Sequence, residues 1–206
     1  MPVTYDDHIP EEQRAIEGRP VPPPHQMVGR EAILALLQHW LERAQEGTRQ
    51  IVFVTGEPGI GKTTVVEAFV QRLSTHPRLR MAQVQCLAHY GVGEPYMPIL
   101  EALGQLCQPP EGHAVVTLLT RVAPTWLLQM PWPLSDDHTE RLQRLTLGAT
   151  PQRMLREIVQ ALEALTATRP LVLVLEDLHW SDAATLDVLS PSTTVVDRML
   201  AWCHTP

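Results

Sequence analysis

Three observations predict an α/β fold in which a parallel sheet is flanked by helices. Residues 51–55 and 171–175 form short apolar, β-rich runs closed by a glycine or by acidic residues. Both are too short to be helices between such breakers, and the second, unbroken leucine and valine, suits a strand covered on both faces. Around and between them run segments whose apolar residues recur at helical spacing, and the first strand passes through a glycine-rich turn directly into one of these.

The elements follow in order. Residues 1–26 are polar and proline-rich, with Pro20, Pro22, Pro23 and Pro24 clustered at the end. Such a segment has no apolar stripe to bury and is expected to be a disordered tail or semi-rigid linker. Folded structure is expected over 27–190. Ile33, Leu34, Leu37, Trp40 and Leu41 make one stripe of a helix over 30–45, and Gly47 supplies its stop. After the first strand and the glycine turn, Val65, Val66, Phe69, Val70 and Leu73 predict a helix over 63–74. Residues 81–87 read as a second strand, followed by the turn-rich stretch 91–95. Ile99, Leu100, Leu103 and Leu106 predict a helix over 96–108 with Pro98 near its start. Weaker helical patterns at 115–130 and 140–147 make this middle region a helical insertion between the glycine turn and the acidic strand. The helix over 150–168 is the clearest, with Thr150 as N-cap, Pro151 at its first position and a stripe through Met154, Leu155, Ile158, Val159, Leu162 and Leu165. The strand at 171–175 runs into Glu176 and Asp177, and Ser181 is the expected cap of a helix through Leu189. Beyond Ser190 there is a mildly helical middle and no clear strand, so 191–206 is expected to be an irregular or weakly helical tail and the sheet to be incomplete.

Composition narrows the function. The chain has 206 residues, 44% of them hydrophobic, enough for one substantial core. A formal net charge of −7 argues against direct nucleic-acid binding by this segment, because neutralising phosphates needs a basic face. Cys86, Cys107 and Cys203 are odd in number, far apart and without a C-x-x-C pair, which reads as core thiols in a reducing compartment. No stretch offers the roughly 18 uninterrupted apolar residues of a membrane span, and the acidic N-terminus has the wrong sign for a signal peptide. A cytoplasmic location without membrane association is the expectation.

Lys62 is the single lysine among sixteen basic residues; the other fifteen are arginine. It stands in Gly56-Glu-Pro-Gly-Ile-Gly-Lys-Thr63, the pattern G-x-x-x-x-G-K-[ST] between strand and helix. Lysine's compact ammonium on a flexible stem reaches between two phosphates where arginine's planar fork does not. Gly56, Gly59 and Gly61 permit conformations closed to other residues and let backbone N–H groups approach an anion. In such a loop, which also includes Glu57, Pro58 and Ile60, Lys62 bridges the β- and γ-phosphates, Thr63 gives its hydroxyl to Mg²⁺ and Thr64 lies near the α-phosphate. Glu176 and Asp177 emerge at the carboxyl edge of the sheet, where ligands of such folds bind. One can hold the Mg²⁺ hydration shell and the other polarise an attacking water, while alone the pair would read as a solvated strand end. The order Glu-Asp, where Asp comes first in the usual pattern, leaves their division of labour open. By residue type, Trp180 reads as core and His179 as a loop histidine.

Taken together, Val28-Gly-Arg-Glu31, residues 54–64 and residues 173–182 resemble the AAA-type ATPase module of bacterial STAND signalling proteins, as found in large LuxR-type transcriptional regulators and beside nucleotide-cyclase domains. The resemblance covers roughly 27–190 and implies a P-loop NTPase fold that binds ATP with Mg²⁺. It implies that Val28, Gly29 and Arg30 lie near the adenine, and that His179, Trp180 and Asp182 form a polar-aromatic turn below the γ-phosphate. It also implies sensor and output domains, or other subunits, in a longer protein. Members of that family continue into further strands and helical domains, so the resemblance implies a truncated copy whose full-length form would hydrolyse ATP. A small-molecule phosphotransferase and a non-hydrolysing nucleotide-binding module share the loop and remain open, although no arginine-rich lid of a kinase is visible.

Overall fold

The computed structural model describes residues 30–57, 59–74, 76, 78–87, 95–130, 136–190 and 199–204. The tail expected over 1–26, together with Val28, Gly29, Pro58 and most of the turn-rich stretch 91–95, lies outside them.

Helix α1 (Glu31–Gln45) buries Leu34, Leu37, Leu41 and Ala44 on one stripe. It ends as the sequence predicts: Gly47 adopts φ +96°, its N–H donates to the Ala44 carbonyl, and Thr48 N–H donates to the Arg43 carbonyl. Those paired bonds satisfy carbonyls that the helix end would otherwise orphan. Strand β1 (Gln50–Val54) leads through the glycine loop into α2 (Lys62–Ser74), which buries Val65, Val66, Phe69 and Leu73. Strand β2 (Arg80–Gln85) then hands the chain to the helical insertion.

The insertion comprises α3 (Met97–Leu106), α4 (Gly112–Val122), α5 (Pro124–Gln129), α6 (Asp136–Thr146) and α7 (Pro151–Thr166). The single helical pattern expected over 115–130 is two helices. Ala123 leaves the helical region at φ −140°, ψ 53°, because Pro124 disfavours the α conformation in its predecessor and starts α5 as a first-turn proline. Helix α7 begins as expected, with the Thr150 hydroxyl accepting from Arg153 N–H at 3.2 Å.

Strand β3 (Leu171–Glu176) is buried throughout except at Glu176. A 3₁₀ turn (Leu178–Trp180) and α8 (Ala183–Leu189) follow. The cap of α8 is Asp182, not Ser181: its carboxylate accepts from Thr185 N–H at 2.9 Å.

A correction comes at the end of the chain. The segment expected to be irregular or weakly helical contains strand β4 (Met199–His204), which pairs in parallel with β1 on one side and β3 on the other. The sheet order is β1-β4-β3-β2, parallel throughout, so the architecture is the expected mixed α/β fold with a small parallel sheet flanked by helices. Alternate residues of β3 divide the core. Val172 and Val174 join α1 and α2 on one face, whereas Leu171, Leu173 and Leu175 join the insertion helices and α8 on the other. In register, Val54 pairs with His204 and Gln85 with Glu176, so all four strands end at one edge.

Candidate phosphate-loop and acidic-strand site

The glycine loop crosses that edge. Gly59 and Gly61 adopt φ +80° and +86°, backbone that a side chain would strain. Lys62 opens α2, and its side chain folds back over the loop. Its ammonium donates to the Gly56 carbonyl at 2.7 Å and the Glu57 carbonyl at 3.0 Å, and the residue is only 8% exposed. The lone lysine is therefore held at the mouth of a helix N-terminus, where N–H groups and the helix dipole favour an anion. Gly56, Glu57, Gly59, Ile60, Thr63 and Thr64 are all exposed along this edge.

Arg30, just ahead of α1, reaches the same loop. Its guanidinium donates to the carbonyls of Ile60 and Gly61, and a Cβ on Gly61 would run into it. Arg30 is thus tied to the loop, while Val28 and Gly29 lie outside the described residues.

Two strands away, Glu176 and Asp177 stand at the end of β3, each half-buried. Neither carboxylate is bare. Gln83 Nε2 donates to Glu176 Oε1 at 2.5 Å, and Gln85 Nε2 donates to Asp177 Oδ2 at 3.1 Å. Amide donors of this kind fix the orientation of the acceptors. Asp177 takes a left-handed conformation, φ +53°, which turns the chain sharply out of the strand into the 3₁₀ turn.

On that turn the His179 and Trp180 rings meet at a tilt of 45° with centroids 4.7 Å apart, both residues exposed. The reading of Trp180 as core is corrected here: the residue is 55% exposed on the turn that follows the strand end. Asp182 is the anchor of the segment, accepting from the Thr185 hydroxyl at 2.6 Å and from the Tyr96 N–H at 3.2 Å. Burial alone would raise its pKa, but the Thr185 hydroxyl and amide and the Tyr96 amide outweigh it and hold the carboxyl below its ordinary value. Tyr96, itself at φ +69°, lays its ring against Trp126 of the insertion at 5.0 Å.

Sequence reasoning named the loop and the acids but missed Gln83, Gln85, Tyr96 and Thr185. The alternation Gln83-Val-Gln85 at the end of a strand was the signal for the first two: same-facing polar residues beside an apolar neighbour imply polar partners on the adjoining strand. Cys86 and Cys107 are buried free thiols, as expected; burial pushes the first up to about 11, with Asp177, Asp182 and Glu101 adding to it, and the second to about 12. The side chain of Cys203 lies outside the described residues. Among those residues, no helix is long and apolar enough to cross a membrane.

Residues 26–198 match the family described as AAA ATPase domain, a match that runs past Ser190 to the start of β4. An uncharacterized protein of Rhizobium meliloti (strain 1021) is 23% identical over 181 residues, covering 84% of this chain but 17% of its own length. The chain therefore spans about a sixth of that relative. With the family match extending over most of its residues, the chain belongs to the AAA ATPase domain family, a module associated with nucleotide binding and hydrolysis.

Proposed function

We propose that the chain is an Mg²⁺-dependent ATP-binding and ATP-hydrolysing switch, cytoplasmic, in a bacterial signalling or transcriptional regulator. The observation that carries the reading is the placement of the only lysine: its ammonium sits on the carbonyls of a glycine loop at the same sheet edge as two amide-oriented carboxylates.

In this reading Lys62 exchanges its loop carbonyls for the β- and γ-phosphates, and the N–H groups around Gly59, Gly61 and Lys62 grip the same oxygens. The loop residues Gly56, Glu57, Pro58 and Ile60 shape that cradle. Arg30, with Val28 and Gly29, borders the base, and Thr64 the α-phosphate. The donor set fits Mg²⁺ as nucleotide sites usually hold it, by a hydroxyl and one or two carboxylates beside phosphate oxygens: Thr63 is exposed at the helix start, and Glu176 and Asp177 end the neighbouring acidic strand. The ion would supply charge neutralisation of the phosphates. Of the two carboxylates, the one not engaged in that way orients and polarises the attacking water.

Nucleotide state would then set the arrangement of attached sensor and output domains. A match to a small part of a much longer relative suits a module carried beside others. Phosphate release from MgATP tests the activity. Wild type should turn over without any added acceptor, and Glu176→Gln should slow release about a hundredfold or more. Equal negligible rates in both, with ATP still bound, would identify a non-hydrolysing module instead, and release that requires an acceptor would identify a phosphotransferase.

A further inference from the structure

Away from the sheet edge, the insertion holds a half-open cavity of about 500 Å³ between α4, the start of α5, α6 and α7. Its lining is unlike the rest of this acidic chain: Arg121, Arg153 and Arg156 face it, with Glu157 as the one carboxylate. Glu157 is already spent. It is buried and accepts from Thr125 N–H at 2.9 Å, the Thr125 hydroxyl at 3.0 Å and Arg153 Nε at 2.8 Å. Arg153 is held on its other side by the Leu145 carbonyl at 2.8 Å, so one guanidinium is fixed in place at the cavity wall.

Arg121 and Arg156 differ. Both are exposed, and among the described residues neither has a hydrogen-bond or ion-pair partner, although Arg144 nearby on α6 pairs with Glu140. Two guanidinium forks from different helices therefore flank a third that is preorganised, with Val122, Pro124 and Leu145 supplying apolar wall. Guanidinium forks match carboxylate and phosphate oxygens bidentately. The volume lies within the range of small-molecule sites, which combine apolar lining with a few convergent polar groups.

We propose that this cavity is a second ligand site, separate from the phosphate loop, for a small molecule that presents a carboxylate or phosphate to Arg121 and Arg156 and a short apolar body to Leu145. The test titrates citrate and inorganic phosphate, separately, into the full chain and into Arg121→Ala/Arg156→Ala and Lys62→Ala variants, by calorimetry and by amide chemical shifts. Saturable binding of at least one probe, with shifts at Thr120, Leu145 and Arg156, is expected. Read at the cavity through the Thr120 and Leu145 shifts, the double variant should bind at least tenfold more weakly and Lys62→Ala equally well. Should the double variant fold poorly, the shift pattern of the wild type decides alone. Shifts confined to residues 59–64, unchanged affinity in the folded double variant, or no saturation by either probe would overturn the proposal. Binding of polyglutamate but of neither small anion would equally overturn it, in favour of an acidic polypeptide.

Discussion

The two faces of β3 make different demands on the chain. Val172 and Val174 meet α1 and α2, whose buried stripes belong to the same strand-loop-helix unit that carries Lys62. Leu171, Leu173 and Leu175 meet the insertion, a thicker layer organised around Trp126, which is fully buried and donates its indole N–H to the Met154 carbonyl at 2.8 Å. On the first face, core and ligand loop are one element. On the second, the core supports the acidic turn through buried Leu178 and through the Tyr96–Asp182 link. Damage to the first face should therefore reach the nucleotide, and damage to the second should stay largely in stability.

Paired truncations break or sharpen that contrast most strongly. Phe69→Ala and Trp126→Ala each remove a side chain with almost no exposure and should each cost about 3–5 kcal/mol, a large share of a typical 5–15 kcal/mol domain stability. Denaturant titration measures the loss. Only Phe69→Ala should also weaken MgATP binding in the population that remains folded, because α2 positions the loop; equal affinity losses in both variants would erase the distinction.

A smaller effect is expected at Gly61. An alanine there meets φ +86° at a cost of about 1–2 kcal/mol and displaces the Arg30 guanidinium. Nucleotide affinity should fall more than stability, since the loop is exposed. An unchanged nucleotide affinity would detach Arg30 from the site.

On the second face, removing the α8 cap with Asp182→Ala should cost about 1 kcal/mol. Its pH dependence has a definite sign. A carboxyl whose folded pKa is depressed adds stability that is complete above its unfolded pKa, about 4, and is lost as pH falls through the lower folded value. Wild type should therefore lose this contribution below about pH 4, and Asp182→Asn, which keeps an acceptor but does not titrate, should lack that component in denaturation curves from pH 2 to 6. Identical curves would exclude the Thr185 and Tyr96 bonds as its cause.

Least in magnitude, Cys86 and Cys107, both on the insertion face, should resist iodoacetamide at pH 8 in the native protein. Their thiols are buried and pushed up to about 11 and about 12. Peptide mapping should find them alkylated only after unfolding; native labelling at Cys107 would mean that the insertion opens readily.

Where local chemistry decides, the sequence was readable: the glycine loop, the Thr150 cap, the Gly47 stop and the two-sided burial of β3 follow from residue type and spacing. Where a distant partner decides, it was not. Residues 199–204 carry a helix-like mixture of Met, Leu and Ala, and they become a strand because a slot between β1 and β3 offers both edges of a ladder. Similarly, the bond from Gln83 to Glu176 depends on β2 and β3 being neighbours, and the exposure of Trp180 on the turn that follows the left-handed Asp177.

The central claim is that Lys62, now resting on Gly56 and Glu57, is the residue that captures a nucleotide's phosphates. Calorimetric titration of MgATP into wild type and Lys62→Ala tests it most directly. The account predicts saturable heat in the wild type and affinity at least about 30-fold weaker in the variant, equivalent to about 2 kcal/mol. Equal affinities, or no heat from the folded wild type at millimolar nucleotide, would contradict it.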